Sequence, residues 1–317
     1  MSDLPLVSVI MPAFNRADYI TEALESVLGQ DYPHKELVVI DDGSTDNTIE
    51  IVKSFGNRVR LMQQRNSGPA AARNRGIGAA AGKYVAFIDS DDVWLPGKLT
   101  AQVGYLEANP DVSVVHAELV PWSRGADGVF QRSSLPEIEP VKATIAVDPS
   151  SSGWIYHRLL LAPMVNMSSM VVRRSLFEEI GLFDVSLLRG EDYEFTLRAS
   201  RVTRIEMLDC VAVVYRRHSE QSIKHFPSIN YELKAVGLAL ERWGLCGPDG
   251  ACADADQVDR RLAESSFNFA YYHFWNGNPW VAFRSFLNSL RRVPTRPKAW
   301  AYLFLSASKA LLRSGRN

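Results

Sequence analysis

Cysteine is scarce in this sequence, which has three in 317 residues: Cys210, Cys246 and Cys252. No two of them form a C-x-x-C pair, so we expect neither a disulfide framework nor a zinc site, and the pattern favours a reducing compartment. No run of about 18 apolar residues is present, which argues against a transmembrane helix. The chain begins Met1-Ser-Asp-Leu-Pro without a basic segment, so we expect no signal peptide and a cytoplasmic location.

An excess of charge of either sign is also missing, since 35 basic residues face 36 acidic ones. This balance argues against a nucleic-acid partner held by bulk electrostatics. The hydrophobic fraction of 46% is typical of globular proteins. A chain of this length forms one large domain or two smaller ones.

The first half of the sequence alternates strand-like and helix-like segments. Apolar runs predict strands at 7–11, 36–40, 58–62, 84–88 and 112–120. Amphipathic or alanine-rich segments predict helices at 15–30 (with Asn15 as the N-cap), 45–55 and 68–81. This order is typical of an α/β fold with a mostly parallel sheet flanked by helices.

The pattern weakens over residues 121–153, where Pro, Gly and Ser accumulate, and a connection of that length is usually functional or disordered. We interpret it as a lid or acceptor loop carrying Trp122, with Trp154 just after it; aromatic faces suit sugar rings, but a loop tryptophan is as often an anchor to the core. Regular patterning then predicts a helix at 154–161, strands at 166–172, 204–208 and 210–215, and a helix from Glu191. Helices follow from residue 227 onward, so we expect one domain over 1–225 and a helical C-terminal region over 226–317.

The strand predicted at 84–88 ends in three carboxylates, Asp89, Asp91 and Asp92. Adjacent anions repel one another unless a cation or a set of donors neutralises them. Ligands of open α/β sheets bind at the carboxyl ends of the strands. The cluster therefore indicates a divalent metal that holds a phosphorylated substrate, the alternative being a solvated loop in which one Asp caps the next helix.

A second strand ends in Asp41 and Asp42, followed by Gly43 and Ser44. Parallel strands bring their carboxyl ends to the same rim, so these groups should converge with the first cluster. Asp42 could accept hydrogen bonds from a nucleobase or a ribose. Asp, Gly and Ser also favour a turn that leads into a helix, and this alternative stays open.

Four motifs in order resemble the family 2 glycosyltransferases, which have a GT-A (Rossmann-like) fold. They are VSVIMPAFN at 7–15, ELVVIDDGSTD at 36–46, GPAAARN at 68–74 and FIDSDD at 87–92. The resemblance implies a nucleotide-sugar donor, a divalent cation (Mn²⁺ or Mg²⁺) on the D-x-D element, and inversion at the anomeric carbon. It also implies UDP as the nucleotide.

The resemblance implies roles for single residues. Those implied to line the nucleoside pocket are Pro12, Phe14 and Asp42. Asp89 would face the ribose and Asp91 would bind the metal, whereas Asp92 would cap a helix beginning near Pro96. Arg73 either contacts the donor or pairs with Asp42 or Asp89.

The acidic pair Glu191-Asp192 opens a predicted helix, where the helix dipole alone would favour acidic residues. A transferase also needs a base that removes a proton from the acceptor hydroxyl. The resemblance places an E-D pair at this distance from the D-x-D, and we assign Asp192 as the base with Glu191 orienting the acceptor.

The segment YRRHSEQS at 215–222 also resembles the family, in which a late arginine and histidine approach the diphosphate. His218 would be a further metal ligand, and Arg216 or Arg217 a phosphate contact. Without the resemblance, His218 is an ordinary loop histidine.

The C-terminal third mixes aromatic and basic residues, most of which we assign to a helix–helix core. The mixture also permits an interfacial membrane helix, which would suit a lipid-linked acceptor and peripheral binding at the inner membrane face. A weak likeness to tetratricopeptide helices would instead favour protein association.

The expected function is metal-assisted transfer of one sugar from a nucleoside diphosphate to a hydroxyl of a glycan or lipid-linked acceptor. A Gln-x-x-Arg-Trp motif is absent, which favours a single transfer over processive synthesis. One rival is a nucleotidyltransferase, which would need a Gly- and Lys/Arg-rich loop after the first strand. The other is a silent nucleotide- or carbohydrate-binding module that acts through its helical tail.

Overall fold

A computed structural model describes residues 4–125, 130, 140–142, 145–218 and 227–314. The chain divides into two compact units. The first comprises Met1–Ile155 and Met164–Gln221, and the second Tyr156–Pro163 and Ser222–Asn317. The boundary expected at residue 225 lies outside the described residues and stays a prediction.

The first unit alternates strands and helices over its first hundred residues. Its elements begin with β1 (Val7–Ala13), α1 (Ile20–Leu28), β2 (Lys35–Asp41), α2 (Thr48–Ser54), β3 (Arg60–Gln63), α3 (Pro69–Ala79), β4 (Tyr84–Phe87), β5 (Val93–Trp94) and α4 (Lys98–Ala108). They continue with β6 (Val112–Ser123), β7 (Val171–Arg173), α6 (Ser175–Ile180), α7 (Glu191–Ala199) and β8 (Arg204–Arg217). Short 3-10 turns lie at Gly56–Arg58 and Met167–Ser169.

The described strands form one sheet in the order β3-β2-β1-β4-β7-β6-β8-β5. Strands β3, β2, β1 and β4 are mutually parallel, as are β6 and β8. Strand β7 is antiparallel to both β4 and β6, and β5 is antiparallel to β8. The expected α/β fold with a mostly parallel sheet is therefore confirmed.

Burial on both faces explains why the central strands are continuous apolar runs. Every residue of β4 is fully buried, and the hydrophobic core extends from β1 and β2 across to β6. Helix α3 packs very close to β1, because a Cβ added at Gly76 would lie 2.5 Å from Cγ2 of Ile10. Only glycine permits that approach, which places the following turns of α3 directly over the sheet.

Three local predictions were wrong. Helix α1 begins at Ile20, and Asn15 is not its cap but a left-handed residue (φ 51°). The strands expected at 204–208 and 210–215 form the single strand β8, whose pairing with β6 is irregular opposite Glu118. Trp122 belongs to β6 and is buried, because β6 extends three residues into the expected loop.

The second unit consists of the helices α5 (Tyr156–Leu159), α8 (Tyr231–Trp243), α9 (Ala255–Asn276), α10 (Pro279–Arg292) and α11 (Pro297–Ser314). Its core is formed by the facing sides of α9, α10 and α11, where Phe274, Phe286 and Leu303 are buried. None of the described helices is long and apolar enough to cross a membrane.

The expectation of no disulfide was wrong, because Cys246 and Cys252 are bonded to each other. They lie in a short antiparallel bridge between α8 and α9. Proximity along the chain, and not a C-x-x-C spacing, brings the two sulfurs together. Cys210 remains a free thiol.

Candidate active site

The turn after β1 is fastened to the turn after β2. Asn15 donates its backbone N–H to Ser44 Oγ (2.9 Å), and its side-chain oxygen accepts from the N–H of Thr45 (2.8 Å). Phe14 precedes this turn and is 42% exposed, while Pro12 is half-buried at the end of β1. An exposed aromatic ring on a fixed turn offers a flat apolar surface at the rim of the sheet.

Asp42 is buried, and both of its oxygens accept hydrogen bonds. Its Oδ1 accepts from Gln64 Nε2 (2.7 Å) and from the N–H of Ser67 (2.8 Å), and its Oδ2 from the N–H of Gly68 (2.8 Å). Asp41 makes the turn by accepting from the N–H of Gly43. Asp42 therefore fixes the loop that leads into α3.

Asp91 Oδ2 lies 2.9 Å from Arg16 Nε and 3.0 Å from His218 Nε2. Burial alone would raise the pKa of Asp91, but the His218 hydrogen bond and the Arg16 charge outweigh it, so the pKa lies below its usual value. An ionised carboxylate only accepts hydrogen bonds, so Nε2 of His218 carries the proton. The imidazole also stacks on Tyr19, with ring centroids 4.3 Å apart.

Arg216 is buried beneath this group. Its guanidinium donates to the backbone oxygen of Asp91 (3.1 Å), forms an ion pair with Glu22, and lies 5.6 Å from the ring centre of Trp122. The side chain of Arg217, the alternative phosphate contact, is exposed. Arg216 thus fastens the end of β8 to the residue that carries the carboxylate.

Asp92 does not cap a helix, contrary to expectation. Helix α4 begins at Lys98 after Gly97, and its cap makes no side-chain hydrogen bond. Asp92 instead accepts from Ser168 Oγ (2.5 Å) and is 1% exposed. Burial and then the neighbouring charges of Asp89 and Asp91 raise the pKa of Asp92 well above its usual value.

Arg73 joins the end of the D-x-D strand to the start of α7. Its Nη1 donates to Glu191 Oε1 (2.5 Å), and its Nη2 donates to Asp89 Oδ1 (2.8 Å). The Arg73 and Glu191 side chains are buried, whereas the side chain of Asp89 is 37% exposed. Despite burial, the two carboxylates raise the pKa of Arg73 above its usual value. Of the pairings predicted for Arg73, the one with Asp89 is present in the structure.

Asp192 is the first-turn neighbour of Glu191 and accepts a hydrogen bond from the N–H of Tyr193 (2.7 Å). Burial, followed by the charge of Glu191, raises the pKa of Asp192 to about 6, and the Arg73 guanidinium partly opposes the rise. A carboxylate with such a pKa is ionised at neutral pH and is more basic than an exposed one.

Comparison with known proteins identifies the family. The family model described as Glycosyl transferase family 2 matches residues 8–180, more than half of the chain. The chain belongs to this family. The resemblance drawn from the four sequence motifs is thereby confirmed.

Relatives of this glycosyltransferase include an uncharacterized glycosyltransferase of Rickettsia felis, 32% identical over 236 residues, which cover 73% of this chain and 37% of the relative. A Rickettsia prowazekii glycosyltransferase is 34% identical over 227 residues, or 69% of this chain and 66% of the relative. TuaG of Bacillus subtilis, whose name assigns it provisionally to teichuronic acid biosynthesis, is 44% identical over 106 residues, covering 32% of this chain and 42% of TuaG. The chain thus spans from about a third to two thirds of the length of these relatives.

Among solved structures, S. aureus TarS (residues 1–349) in complex with UDP-GlcNAc matches 96% of this chain and 88% of that chain, with a TM-score of 0.61 and 22% identity. The same fragment in complex with UDP matches with a TM-score of 0.59 and 23% identity. At this level of identity the match concerns the fold. It confirms the GT-A fold expected from the sequence.

The family implies a divalent cation, which would need oxygen or nitrogen ligands at this site. No group of three His, Cys, Asp or Glu side chains that could hold a metal occurs in the described part of the chain. Asp91 and His218 nevertheless place one oxygen and one nitrogen 3.0 Å apart, and Nε2 of His218 would bind a cation only after losing the proton that it donates to Asp91. Metals held at phosphate sites often take one or two protein ligands, with phosphate oxygens and water as the others. The pair fits a cation held jointly with a diphosphate.

Apart from Pro12, Phe14 and Asp42, which lie at the ends of β1 and β2, the predicted site residues fall into two groups in the first unit. Asp91, His218 and Arg216 form one, and Arg73, Asp89, Glu191 and Asp192 form the other. Sequence analysis missed Arg16 and Ser168, which bind Asp91 and Asp92. Arg16 follows the first strand, so the strand-end argument could have found it, whereas Ser168 lies in a 3-10 turn with no sequence signal.

Proposed function

We propose that this chain transfers one sugar, with inversion, from a nucleoside diphosphate to a hydroxyl of an acceptor in glycan biosynthesis. UDP is the proposed nucleotide, in line with the family and with the UDP-GlcNAc and UDP of the TarS complexes. The observation that carries the proposal is the arginine bridge from Asp89 to Glu191. It joins the D-x-D strand to the helix that holds the proposed base.

Asp192 is the proposed general base. It takes the proton of the acceptor hydroxyl while that oxygen forms a bond to the anomeric carbon of the donor. The bond from that carbon to the phosphate oxygen breaks, and its electron pair leaves with the diphosphate. The raised pKa of Asp192 supports this role, because a more basic carboxylate removes the proton more readily. Glu191, held by Arg73, is proposed to orient the acceptor.

Asp91 and His218 would hold the cation. When bound, it would neutralise the growing negative charge of the departing diphosphate. Arg16 already places a guanidinium 2.9 Å from Asp91 Oδ2, so a second positive group is available beside the same oxygens. Arg216 is still proposed to contribute to diphosphate binding. It would do so indirectly, because its guanidinium donates to the backbone oxygen of Asp91.

The donor nucleoside is proposed to lie against Phe14 and Pro12. Asp42 supports this pocket by fixing the loop from Gln64 to Gly68 beside it. Asp89 is proposed to face the ribose, since its side chain is partly exposed beside Arg73. The lid expected over 121–153 stays a prediction, since 15 of its 33 residues lie outside the described ones, at 126–129, 131–139 and 143–144.

The acceptor is proposed to be a glycan or a lipid-linked glycan, and α11 supports contact with a membrane surface. Its side facing away from the core exposes Trp300, Phe304, Leu305, Leu311 and Leu312. The helix contains no acidic residue, and the exposed Lys298 lies to one side of this apolar face, whereas Lys309 donates to the backbone oxygen of Phe274. Apolar residues flanked by cations are typical of helices that lie in the interface of anionic lipid bilayers.

The proposal is tested by incubating purified protein with Mn²⁺ and UDP-, GDP- and dTDP-sugars and measuring the release of nucleoside diphosphate. We expect the wild type to release nucleoside diphosphate from one of these donors, and Asp192→Asn to release none. An acceptor that the protein uses should increase the release. A silent binding module would release none. A nucleotidyltransferase would instead consume a nucleoside triphosphate and a sugar 1-phosphate. A parallel incubation with these two substrates would detect the pyrophosphate that it releases.

A further inference from the structure

The helical unit contains a cavity of about 520 Å³ between α8, α9 and α10, formed entirely by residues of that unit. Its volume falls within the range of roughly 300–1,000 Å³ that small-molecule sites occupy. Leu233, Phe269 and Val281 form apolar walls, and most other lining residues are polar. The cavity is therefore large enough for a monosaccharide and offers it both apolar and polar contacts.

The charge of the cavity has one sign. Lys234 and Arg284 line it, and no Asp or Glu among the described residues does. Neither cation forms an ion pair with any residue that the structure describes. The nearest carboxylate in sequence, Glu232, is turned to another cluster, where it accepts from Arg261 (2.6 Å) and Ser265 (2.8 Å). Two cations without a counter-charge favour an anionic ligand.

A buried serine that lines the cavity is a second, independent indication of a ligand. Ser266 is 1% exposed, and its Oγ has no hydrogen-bond partner among the described residues. A buried hydroxyl without a partner costs free energy, of the order of 1–3 kcal/mol. A ligand hydroxyl or phosphoryl oxygen in the cavity would supply the missing partner.

The N-terminus of α8 also favours an anionic ligand. Ser228, Ile229 and Asn230 line the cavity just before this helix of 13 residues. Asn230 caps the helix by accepting from the N–H of Leu233 (3.1 Å). The positive end of the helix dipole therefore lies at the cavity, where it would stabilise a negative group.

From these observations we infer that the helical unit binds an anionic saccharide, a sugar that carries a phosphoryl or carboxylate group. Arg284 and Lys234 bind the anion, Ser266 donates to or accepts from a ligand oxygen, and the apolar walls contact the C–H face of the ring. This site is independent of the donor site and does not rest on the transfer reaction.

The test measures binding to the full chain by calorimetry at low ionic strength, with UDP present to fill the donor site. The probes are glucose 6-phosphate, glucuronate, glucose and inorganic phosphate. We expect glucose 6-phosphate and glucuronate to bind at least about tenfold more tightly than glucose, as charge-assisted hydrogen bonds predict. Equal binding of the charged and neutral sugars would overturn the inference, and so would inorganic phosphate binding as tightly as glucose 6-phosphate.

Arg284→Gln removes an exposed cation and should weaken binding of glucose 6-phosphate at least about fivefold. The matched control is Arg291→Gln, an exposed arginine of the same helix that does not line the cavity. Ser266→Ala should weaken binding without lowering the melting temperature, because its hydroxyl has no partner in the protein. Wild-type affinity in both Arg284→Gln and Ser266→Ala would show that the cavity is not the site.

Discussion

Arg73 and Glu191 lie 118 positions apart in the sequence, and a hydrogen bond of 2.5 Å joins their buried side chains. The same guanidinium donates to Asp89. A single side chain of α3 thus fixes the distance between the strand that ends in the D-x-D element and the helix that begins with Glu191 and Asp192. Three segments far apart in the sequence acquire one common geometry.

Replacing Arg73 by Met should lower the free energy of unfolding by about 3–5 kcal/mol, because it leaves a buried carboxylate without its cation. Adding Glu191→Gln to this variant should recover part of the loss, and urea denaturation of the single and double variants measures the coupling. The control is Arg260→Met, which breaks an exposed pair with Asp254 worth about 0–1 kcal/mol. Strict additivity of the two changes would contradict the coupling.

The turnover rate should depend on the ionisation of Asp192, whose pKa burial and Glu191 raise to about 6. Below that pH the base is protonated, so the rate should fall about tenfold per pH unit, and above it the rate should level off. Asp192→Asn should lower turnover on the order of 10²–10⁴-fold with donor affinity unchanged. The control is the exposed Asp209→Asn, and a pH-independent wild-type rate between pH 5 and 7 would exclude the assignment.

The raised pKa of Asp192 also affects the free energy of unfolding. The pKa of Asp192 is raised in the folded state, from 3.8 to about 6, so its favourable contribution is complete below pH 4 and is lost as the pH rises through 6. Asp192→Asn should therefore stabilise the protein at pH 7.5, by about 2–3 kcal/mol. The difference should shrink at pH 4.5, where Asp192 is protonated. Urea midpoints at both pH values check this, and a destabilised variant at pH 7.5 would contradict it.

Chelation should weaken donor binding if Asp91 and His218 hold a cation with the diphosphate. We expect EDTA to raise the dissociation constant of UDP at least about tenfold in the wild type, since a bound cation would supply positive charge to the diphosphate. In Asp91→Asn, UDP binding should be weak and insensitive to EDTA, whereas the exposed Asp111→Asn should behave as the wild type. Wild-type UDP binding that EDTA leaves unchanged would remove the metal from the proposal.

The apolar face of α11 should bind vesicles that contain anionic lipid. Co-sedimentation should decrease strongly in the double variant Trp300→Ser with Phe304→Ser, because two large exposed rings are lost. Trp280→Ser is the control, since this exposed tryptophan belongs to α10. Equal binding of all three proteins, or equal binding to neutral vesicles, would contradict membrane contact through α11.

The fold, and the strand ends that carry the candidate site, could be predicted because they depend on local patterns. Buried strands are apolar runs, and parallel strands place Asp42 and Asp91 at one rim. The contacts of Ser168 with Asp92, and of Arg216 with Glu22, could not be predicted, because they join segments whose approach depends on side-chain packing. The bond between Cys246 and Cys252 was missed because the intervening turn, and not the spacing, aligns them.

Gly76 illustrates how a residue without a side chain can control chemistry. It lies one helical turn beyond Arg73, at the place where α3 touches Ile10. A larger residue would have to displace the side chain of Ile10 or shift α3, and a shift of α3 would move the guanidinium of Arg73 relative to both of its acidic partners. The missing side chain at position 76 therefore helps to keep Arg73 within hydrogen-bonding distance of Asp89 and Glu191.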